Sequence, residues 1–193
     1  MSFDQECLRE IMRRIREQRH PLVTIDGPCA SGKTTLADRL AEMLPATVVH
    51  TDDYVVSHTL KTAERLAVPG GNCDADRLLR EAVLPWKQNL PVRVRRYDCK
   101  ADLYLPEEPL PDRDVLILEG CYCNLPKIRK EADVRIFLDI DRTVQEARLL
   151  RRETPESLKR FHERWIPLEE AYFEAFRLPD EGCIVISGEG RPE

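Results

Sequence analysis

Long apolar runs are missing from this chain. No stretch approaches the roughly 20 residues a membrane span requires. Paired Cys-x-x-Cys knuckles are missing as well, so the seven cysteines do not read as a structural zinc site. Their number is odd and the chain is long enough to fold without staples, so they read as reduced thiols, most of them small apolar fillers, Cys121 and Cys123 included. There is no excess of basic residues: 30 Lys and Arg stand against 35 Asp and Glu, a net charge of −5. That balance, with no stripe of alternating aromatic and basic residues, argues against nucleic acid or an anionic membrane surface as partner. Internal repeats and low-complexity segments are absent too. Asp4, Glu6 and Glu10 replace the cationic start of a signal or transit peptide, which sets the expectation of a cytoplasmic protein.

What remains is enough for one soluble domain. The chain has 193 residues, 42% hydrophobic and 34% charged, which supports a single core and is short for two. The expectation is one domain over 1–193. Leu8, Ile11, Met12 and Ile15 recur at helical spacing and predict an N-terminal amphipathic helix within 1–20. Leu22-Val23-Thr24-Ile25 is short and β-prone. A glycine turn follows from Gly27 to Gly32, then a helical pattern from Thr34 to Leu44, then a second strand over Thr47–His50. Strand, turn, helix and strand make a βαβ unit, hence a parallel sheet. Residues 56–72 and 98–113 read as loops, and 76–84 as a helix ending before Pro85. Val92–Arg95 alternates as a strand with one wet face. Val115–Leu118 and Val134–Leu138 are continuous apolar runs of the kind buried in parallel sheets. Residues 142–152 and 155–176 read as helices, the second perturbed at Pro167, and Ile184–Ile186 as a last strand.

Gly27-Pro28-Cys29-Ala30-Ser31-Gly32-Lys33-Thr34 fits G-x-x-x-x-G-K-[ST]. An apolar strand before it and a helix after it supply the context that the chemistry needs. Glycines let the backbone turn tightly so that its N–H groups reach phosphate oxygens. The helix N-terminus adds positive potential. Lys33 brings a point charge to the outer phosphates and Thr34 a hydroxyl for Mg²⁺. No N-K-x-D segment is present to read guanine, so a guanine-nucleotide switch is disfavoured.

Three further features gain meaning beside that loop. Glu119 ends a buried strand and is placed to serve Mg²⁺ directly or through water. Asp52 and Asp53 end the second strand, where open α/β sheets face their ligands. One of the two is expected to accept a proton from a hydroxyl; a turn or helix cap is the other ordinary use of such aspartates. Arg148, Arg151 and Arg152 lie at i, i+3 and i+4, a spacing that suits a phosphate clamp and equally suits a solvated face paired with Glu146 and Glu153.

With these residues in place, the chain resembles the uridine kinase-like family of P-loop kinases, which includes phosphoribulokinase and bacterial pantothenate kinase. The resemblance runs from about Val23 to Gly188. It rests on Asp52-Asp53-Tyr54, Asn72-Cys73-Asp74, Arg96-Tyr97-Asp98, Leu118-Glu119-Gly120 and Arg148-Leu149-Leu150-Arg151-Arg152, in that order after the phosphate loop. It implies an α/β, three-layer α/β/α P-loop NTPase fold with a mainly parallel central sheet and a short helical lid over about 148–164. It implies a kinase using ATP and Mg²⁺ on a small molecule, with the 5′-hydroxyl of a nucleoside as leading acceptor. Pantothenate, a riboside cofactor precursor or a phosphosugar are further acceptors in the same class; a nucleotide-binding regulatory protein is the reading outside it.

The roles implied are these. Gly27, Pro28, Cys29, Ala30, Ser31, Gly32, Lys33, Thr34 and Thr35 hold the nucleotide. Asp52 is the base, acting with Lys33, Arg148, Arg151 and Arg152. Asp53, Tyr54, Asp74, Tyr97 and Arg151 border the acceptor, and Thr34, Asp52 and Glu119 attend the metal. Relatives that read uracil or cytosine have an aromatic residue and a histidine where this chain has Cys99 and Asp102. A thiol cannot stack on a base as a ring does, and a carboxylate offers acceptors where a neutral imidazole can donate. A further basic lid position falls on Glu156, with Arg160 and Arg164 as candidate substitutes.

Overall fold

The computed structural model describes residues 3–188; the outermost residues of the expected 1–193 domain lie outside that range. Helix α1 (Gln5–Arg16) starts at an Asp4 cap and buries Leu8, Ile11, Met12 and Ile15, the stripe its spacing predicts. Strand β1 (Leu22–Asp26) leads through the glycine loop into α2 (Lys33–Met43) and on to β2 (Ala46–His50). A 3₁₀ turn at Thr51–Tyr54 follows directly.

The region expected to be a loop over 56–72 holds a 3₁₀ turn at His58–Leu60 and a short helix α3 (Ala63–Leu66), capped by Thr62. Next come α4 (Ala75–Leu78), a π turn at Leu79–Val83 and α5 (Leu84–Lys87). The helix therefore continues past Pro85. Proline lacks the N–H that an α-helix would need at that point, and the widened turn before it absorbs the mismatch. The 98–113 stretch is also more ordered than a loop. β3 (Arg93–Val94) pairs antiparallel with β6 (Glu108–Pro109), and β4 (Tyr97–Asp98) with β5 (Leu103–Tyr104). These pairs are two residues long, too short for alternation to reveal.

β7 (Val115–Glu119), α6 (Pro126–Arg129), β8 (Val134–Asp139) and α7 (Arg142–Arg152) follow. The expected single helix over 155–176 is three pieces: α8 (Pro155–Arg160), a π turn at Phe161–Trp165 and α9 (Ile166–Phe176). Pro167 again lies just after the π turn. β9 (Cys183–Ser187) ends the described chain.

The five long strands form one parallel sheet in the order β2-β7-β1-β8-β9. Alternate residues of β1 and β7 feed two separate cores. Val23, Ile25, Val115 and Ile117 pack against α1 and α2, with Leu36 and Leu40. Leu22, Leu116 and Leu118 face the other side, with Leu78, Trp86 and Tyr172. Both faces being buried explains the unbroken apolar runs. Three layers result, helices on each side of the sheet. No helix among the described residues is long and apolar enough to cross a membrane. The seven cysteines are free, and Cys121 and Cys123 are buried.

Register sets the functional edge. His50 of β2 stands level with Glu119 of β7, and Glu119 level with Ile25 of β1. Three chain turns thus leave the sheet at the same height, all at strand carboxyl ends.

Candidate active site

A cleft of about 980 Å³ opens over that edge. The glycine loop forms one wall. Gly27 and Gly32 have φ of 140° and 103°, values that glycine accepts without strain, and Ala30 between them takes a left-handed φ of 60°; a turn of this kind exposes successive N–H groups. A side chain at Gly27 would put its Cβ 2.2 Å from the Leu138 carbonyl oxygen, so close approach to β8 also demands glycine there. Gly32 caps α2 with no side-chain bond, and Gly32, Lys33, Thr34 and Thr35 line the cleft. The first N–H groups of a helix have no partner within it. Here they face open space, which fits a phosphate chain.

Lys33 folds back over the loop. Its Nζ donates to the carbonyls of Gly27 and Pro28, both at 2.8 Å. Burial works against its charge, but Glu169, Asp26 and Asp52 nearby hold its pKa above the ordinary value. Thr34 Oγ1 donates to Glu119 Oε1 at 3.1 Å, and His50 Nδ1 lies 2.5 Å from that same oxygen. The hydrogen bond to Glu119 raises the His50 pKa against the effect of burial. Among the described residues no group of three or more His, Cys, Asp and Glu is placed to hold a metal ion. Mg²⁺ keeps most of its ligands as water and substrate phosphate. A hydroxyl beside one carboxylate, next to a phosphate loop, is a donor set that fits it.

Asp52 lines the cleft from the 3₁₀ turn and Asp53 does not. Solvent reaches Asp52 from the cleft, but protein surrounds it otherwise, and burial pushes its pKa up; Glu119 adds to this while Lys33 pulls it down. A carboxylate poised in this way is better suited to accept a proton at neutral pH.

The arginine cluster splits. Arg148 donates to the loop carbonyls of Ala30 at 2.9 Å and Ser31 at 3.3 Å, and to Gly188 O at 2.7 Å. It lines the cleft while bracing the loop. Arg152 also lines it, with Nε 2.6 Å from Glu153 Oε1. Arg151 is exposed and is not among the lining residues, which is the solvated-face outcome. Arg160 and Arg164 join the cleft from the arm beyond α7.

Tyr54, Asp74 and Tyr97 are not brought to the cleft. Tyr54 is 1% exposed, with its ring beneath Arg77. Asp74 caps α4, accepting from the Arg77 N–H at 3.1 Å. Tyr97 gives its hydroxyl to Asp102. In their place the structure brings Lys61, Asn72, Phe161, Trp165 and Glu169. Glu169 accepts from the Cys29 N–H at 2.9 Å, and burial pushes its pKa up. Asn72 stands in the Asn72-Cys73-Asp74 segment, but with Asp74 as its expected contact; the other four carry no sequence signal of their own, because each arrives from a segment distant from the motif. Arg77 was missed too. Only its i,i+4 spacing to Glu81 was visible, and that reads as an ordinary helical ion pair.

The parallel sheet, the uncapped helix after the glycine loop and the carboxylates opposite define a P-loop kinase fold. The chain belongs to the Phosphoribulokinase / Uridine kinase family, whose sequence model matches residues 22–160, and it is a kinase of that family. Solved structures share the architecture. One described as a possible uridine kinase from Bacillus stearothermophilus aligns over 92% of this chain and 99% of that one, with TM-score 0.66 and 20% identity. One provisionally described as a fructose transport system kinase from Silicibacter sp. TM1040 aligns over 95% and 99%, with TM-score 0.71 and 25% identity. The D-glycerate 3-kinase from Cryptococcus neoformans aligns over 97% of each chain, with TM-score 0.67 and 14% identity. No curated protein matches the chain by sequence.

Proposed function

We propose that the protein transfers the γ-phosphoryl group of ATP, with Mg²⁺, to a hydroxyl of a small molecule. The loop amides and Lys33 hold the donor phosphates. Thr34 and Glu119 hold the metal, which neutralises charge on the phosphates when bound. Asp52 accepts the hydroxyl proton, and Arg152 and Arg160 close over the transferring group. The observation that carries this reading is Asp52 facing Lys33 and the Thr34–Glu119 pair across one cleft. Phosphoryl transfer needs positioning and charge stabilisation more than covalent chemistry, and these residues supply both.

A nucleoside acceptor draws less support. Its expected contacts, Asp74 and Tyr97, serve as helix cap and as partner of Asp102, and Cys99 offers no ring to a base. The test is ADP release by the full chain with MgATP, with and without a panel of nucleosides, sugars, sugar phosphates and hydroxy acids. Acceptor-dependent release, lost in Lys33→Ala, supports the enzyme. ATP binding with no acceptor-dependent release across the panel favours a regulatory nucleotide-binding protein instead.

A further inference from the structure

Cations dominate the cleft: seven Lys and Arg side chains line it against three carboxylates. The loop side is accounted for. Lys33 and Arg148 are held by loop carbonyls, and Arg152 by Glu153. Lys61 and Arg164 are not held in that way. Lys61 follows the 3₁₀ turn His58–Leu60, and Arg164 sits in the π turn Phe161–Trp165. Both lie over the Trp165 ring, Lys61 Nζ at 5.8 Å and Arg164 Cζ at 4.9 Å from its centroid. Among the described residues neither forms an ion pair with a carboxylate. The nearby acid, Asp102, is engaged elsewhere: it accepts from Tyr97 and from the His58 N–H, and its other oxygen lies 3.7 Å from the His58 ring. Burial lowers the Lys61 pKa; Cys99 and Asp102 oppose this, and Arg164 acts with it.

The ring face attracts each cation, Lys61 half-buried and Arg164 exposed, and an anion placed between them would offset their mutual repulsion. Their location assigns that anion to the acceptor. Lys61 belongs to the segment that leaves the turn carrying Asp52, and it lines the cleft with Asp52 and Arg164, so this pair lies on the side of the base. One more feature points to a polar, hydroxylated ligand. Asn72 is 7% exposed and lines the cleft, and its Oδ1 is buried without a donor. A ligand hydroxyl would satisfy it.

We propose that the acceptor is an anionic alcohol, a hydroxylated small molecule carrying its own phosphate or carboxylate, which Lys61 and Arg164 receive beside Trp165 while Asn72 Oδ1 takes one of its hydroxyls. The proposal rests on the kinase reading and names the substrate class of that site. Because Lys61 and Arg164 belong to different segments, the same anion ties the 58–66 flap to the arm and draws the cleft shut over the reacting groups.

The test uses matched neutral and anionic alcohols: ribose, ribose 5-phosphate and ribonate; glycerol, glycerol 3-phosphate and glycerate. Each is titrated into the full chain saturated with Mg²⁺ and a non-hydrolysable ATP analogue, so that the phosphate loop is already filled. At least one anionic member should bind about tenfold or more tightly than its neutral counterpart, the scale of one charge-assisted hydrogen bond. The sugar phosphates and the sugar acids separate the two anion types. Lys61→Met and Arg164→Met should each erase that preference, Arg164→Lys should restore part of it, and affinity for the analogue should stay within about twofold. Binding of neutral members only, of no anionic member, or a preference untouched by both substitutions overturns the proposal. Weakened analogue binding in Lys61→Met or Arg164→Met overturns it as well, since the pair would then belong to the donor. Failure of the wild-type chain to bind the analogue at all would instead refute the kinase reading.

Discussion

Arg77 donates from Nη2 to the carbonyl oxygen of Asp53 at 2.6 Å, and from Nη1 to that of Arg95 at the same distance. Its guanidinium is buried, 4.2 Å above the Tyr54 ring and 5.1 Å from the Tyr104 ring. One side chain of α4 thereby fixes the 3₁₀ turn that carries Asp52. Arg77→Met removes both charge-assisted bonds from partly buried carbonyls, each worth about 1.5–3 kcal/mol. A clear fall in thermal midpoint is expected. Arg77 is a positioning residue, so Arg77→Lys is the sharper probe: it keeps the charge between Asp74 and Glu81 but lacks the fork that serves two carbonyls at once. At a temperature where Arg77→Lys is folded, kcat should fall by about tenfold with KM for ATP unchanged, since loose geometry slows transfer and not donor binding. A stability loss with no change in kcat would make Arg77 purely structural.

Asp52 and Asp53 are neighbours in sequence with different surroundings. Asp52 faces the cleft, whereas Asp53 offers its carbonyl to Arg77. Asp52→Asn should lower kcat by about 10²–10⁴, the usual contribution of a positioned base, and leave ATP affinity within about twofold. Asp53→Asn should change kcat by less than about threefold, because its backbone role survives the substitution. Steady-state ADP release checks both. The opposite ranking would place the base at Asp53.

Sequence and structure agree where one local rule suffices. The glycine loop is legible because G-x-x-x-x-G-K-T between an apolar run and a helical pattern has a single physical solution. The buried strands β1, β7 and β8 are legible because both faces are covered. Glu119 and the Asp52-Asp53 pair follow from strand ends in a parallel sheet, while the choice of Asp52 between the two comes with the family resemblance. The acceptor side is where this logic stops. Lys61, Asn72, Arg164 and Trp165 meet only through tertiary packing, and no pattern within a window joins position 61 to 165. Pro85 misled for a definable reason, whereas Pro167 perturbs its helix as expected. Pro85 and Pro167 mark π turns within continuing helices, because widening the preceding turn removes the demand for the missing N–H. Asp74 and Arg151 show the everyday uses of their residue types, as cap and solvated charge.

Glu169 gives a pH prediction. Burial raises its pKa above the ordinary 4.5, with Lys33 opposing. Between that value and the folded-state pKa the native chain binds more protons than the unfolded one, so stability contributed by this group is present at lower pH and lost as pH rises. Glu169→Gln keeps an acceptor for the Cys29 N–H and removes the titration. The difference in thermal midpoint, Glu169→Gln minus wild type, should therefore grow as pH rises from about 4.5 towards 8. Thermal unfolding of the two proteins across that range measures it. A difference that is flat, or that shrinks, would mean that Lys33 rather than burial sets the Glu169 equilibrium.

Gly120 links the metal-side carboxylate to the turn of the base, and its replacement tests that link. It follows Glu119 directly, with φ of 125°. A Cβ built there would stand 2.1 Å from Thr51 Oγ1, and that hydroxyl already donates to Cys121 O at 2.8 Å. Gly120→Ala therefore carries two penalties: a backbone angle that L side chains avoid, costing about 1–3 kcal/mol, and a steric conflict with Thr51. Relief of that conflict moves either the Glu119 end of β7 or the turn that begins at Thr51, so kcat should fall along with stability. Thr51→Ala alone removes the hydroxyl and its bond to Cys121 and should be mildly destabilising. In the double variant the clash is gone while the backbone strain remains. Its loss should then be smaller than the sum of the two single losses, by about 1 kcal/mol on the scale of contacting residues. Denaturant unfolding of the four proteins closes the cycle. Strict additivity would show that Gly120 is required for its backbone angle alone, and that Thr51 does not press on the strand end that holds Glu119.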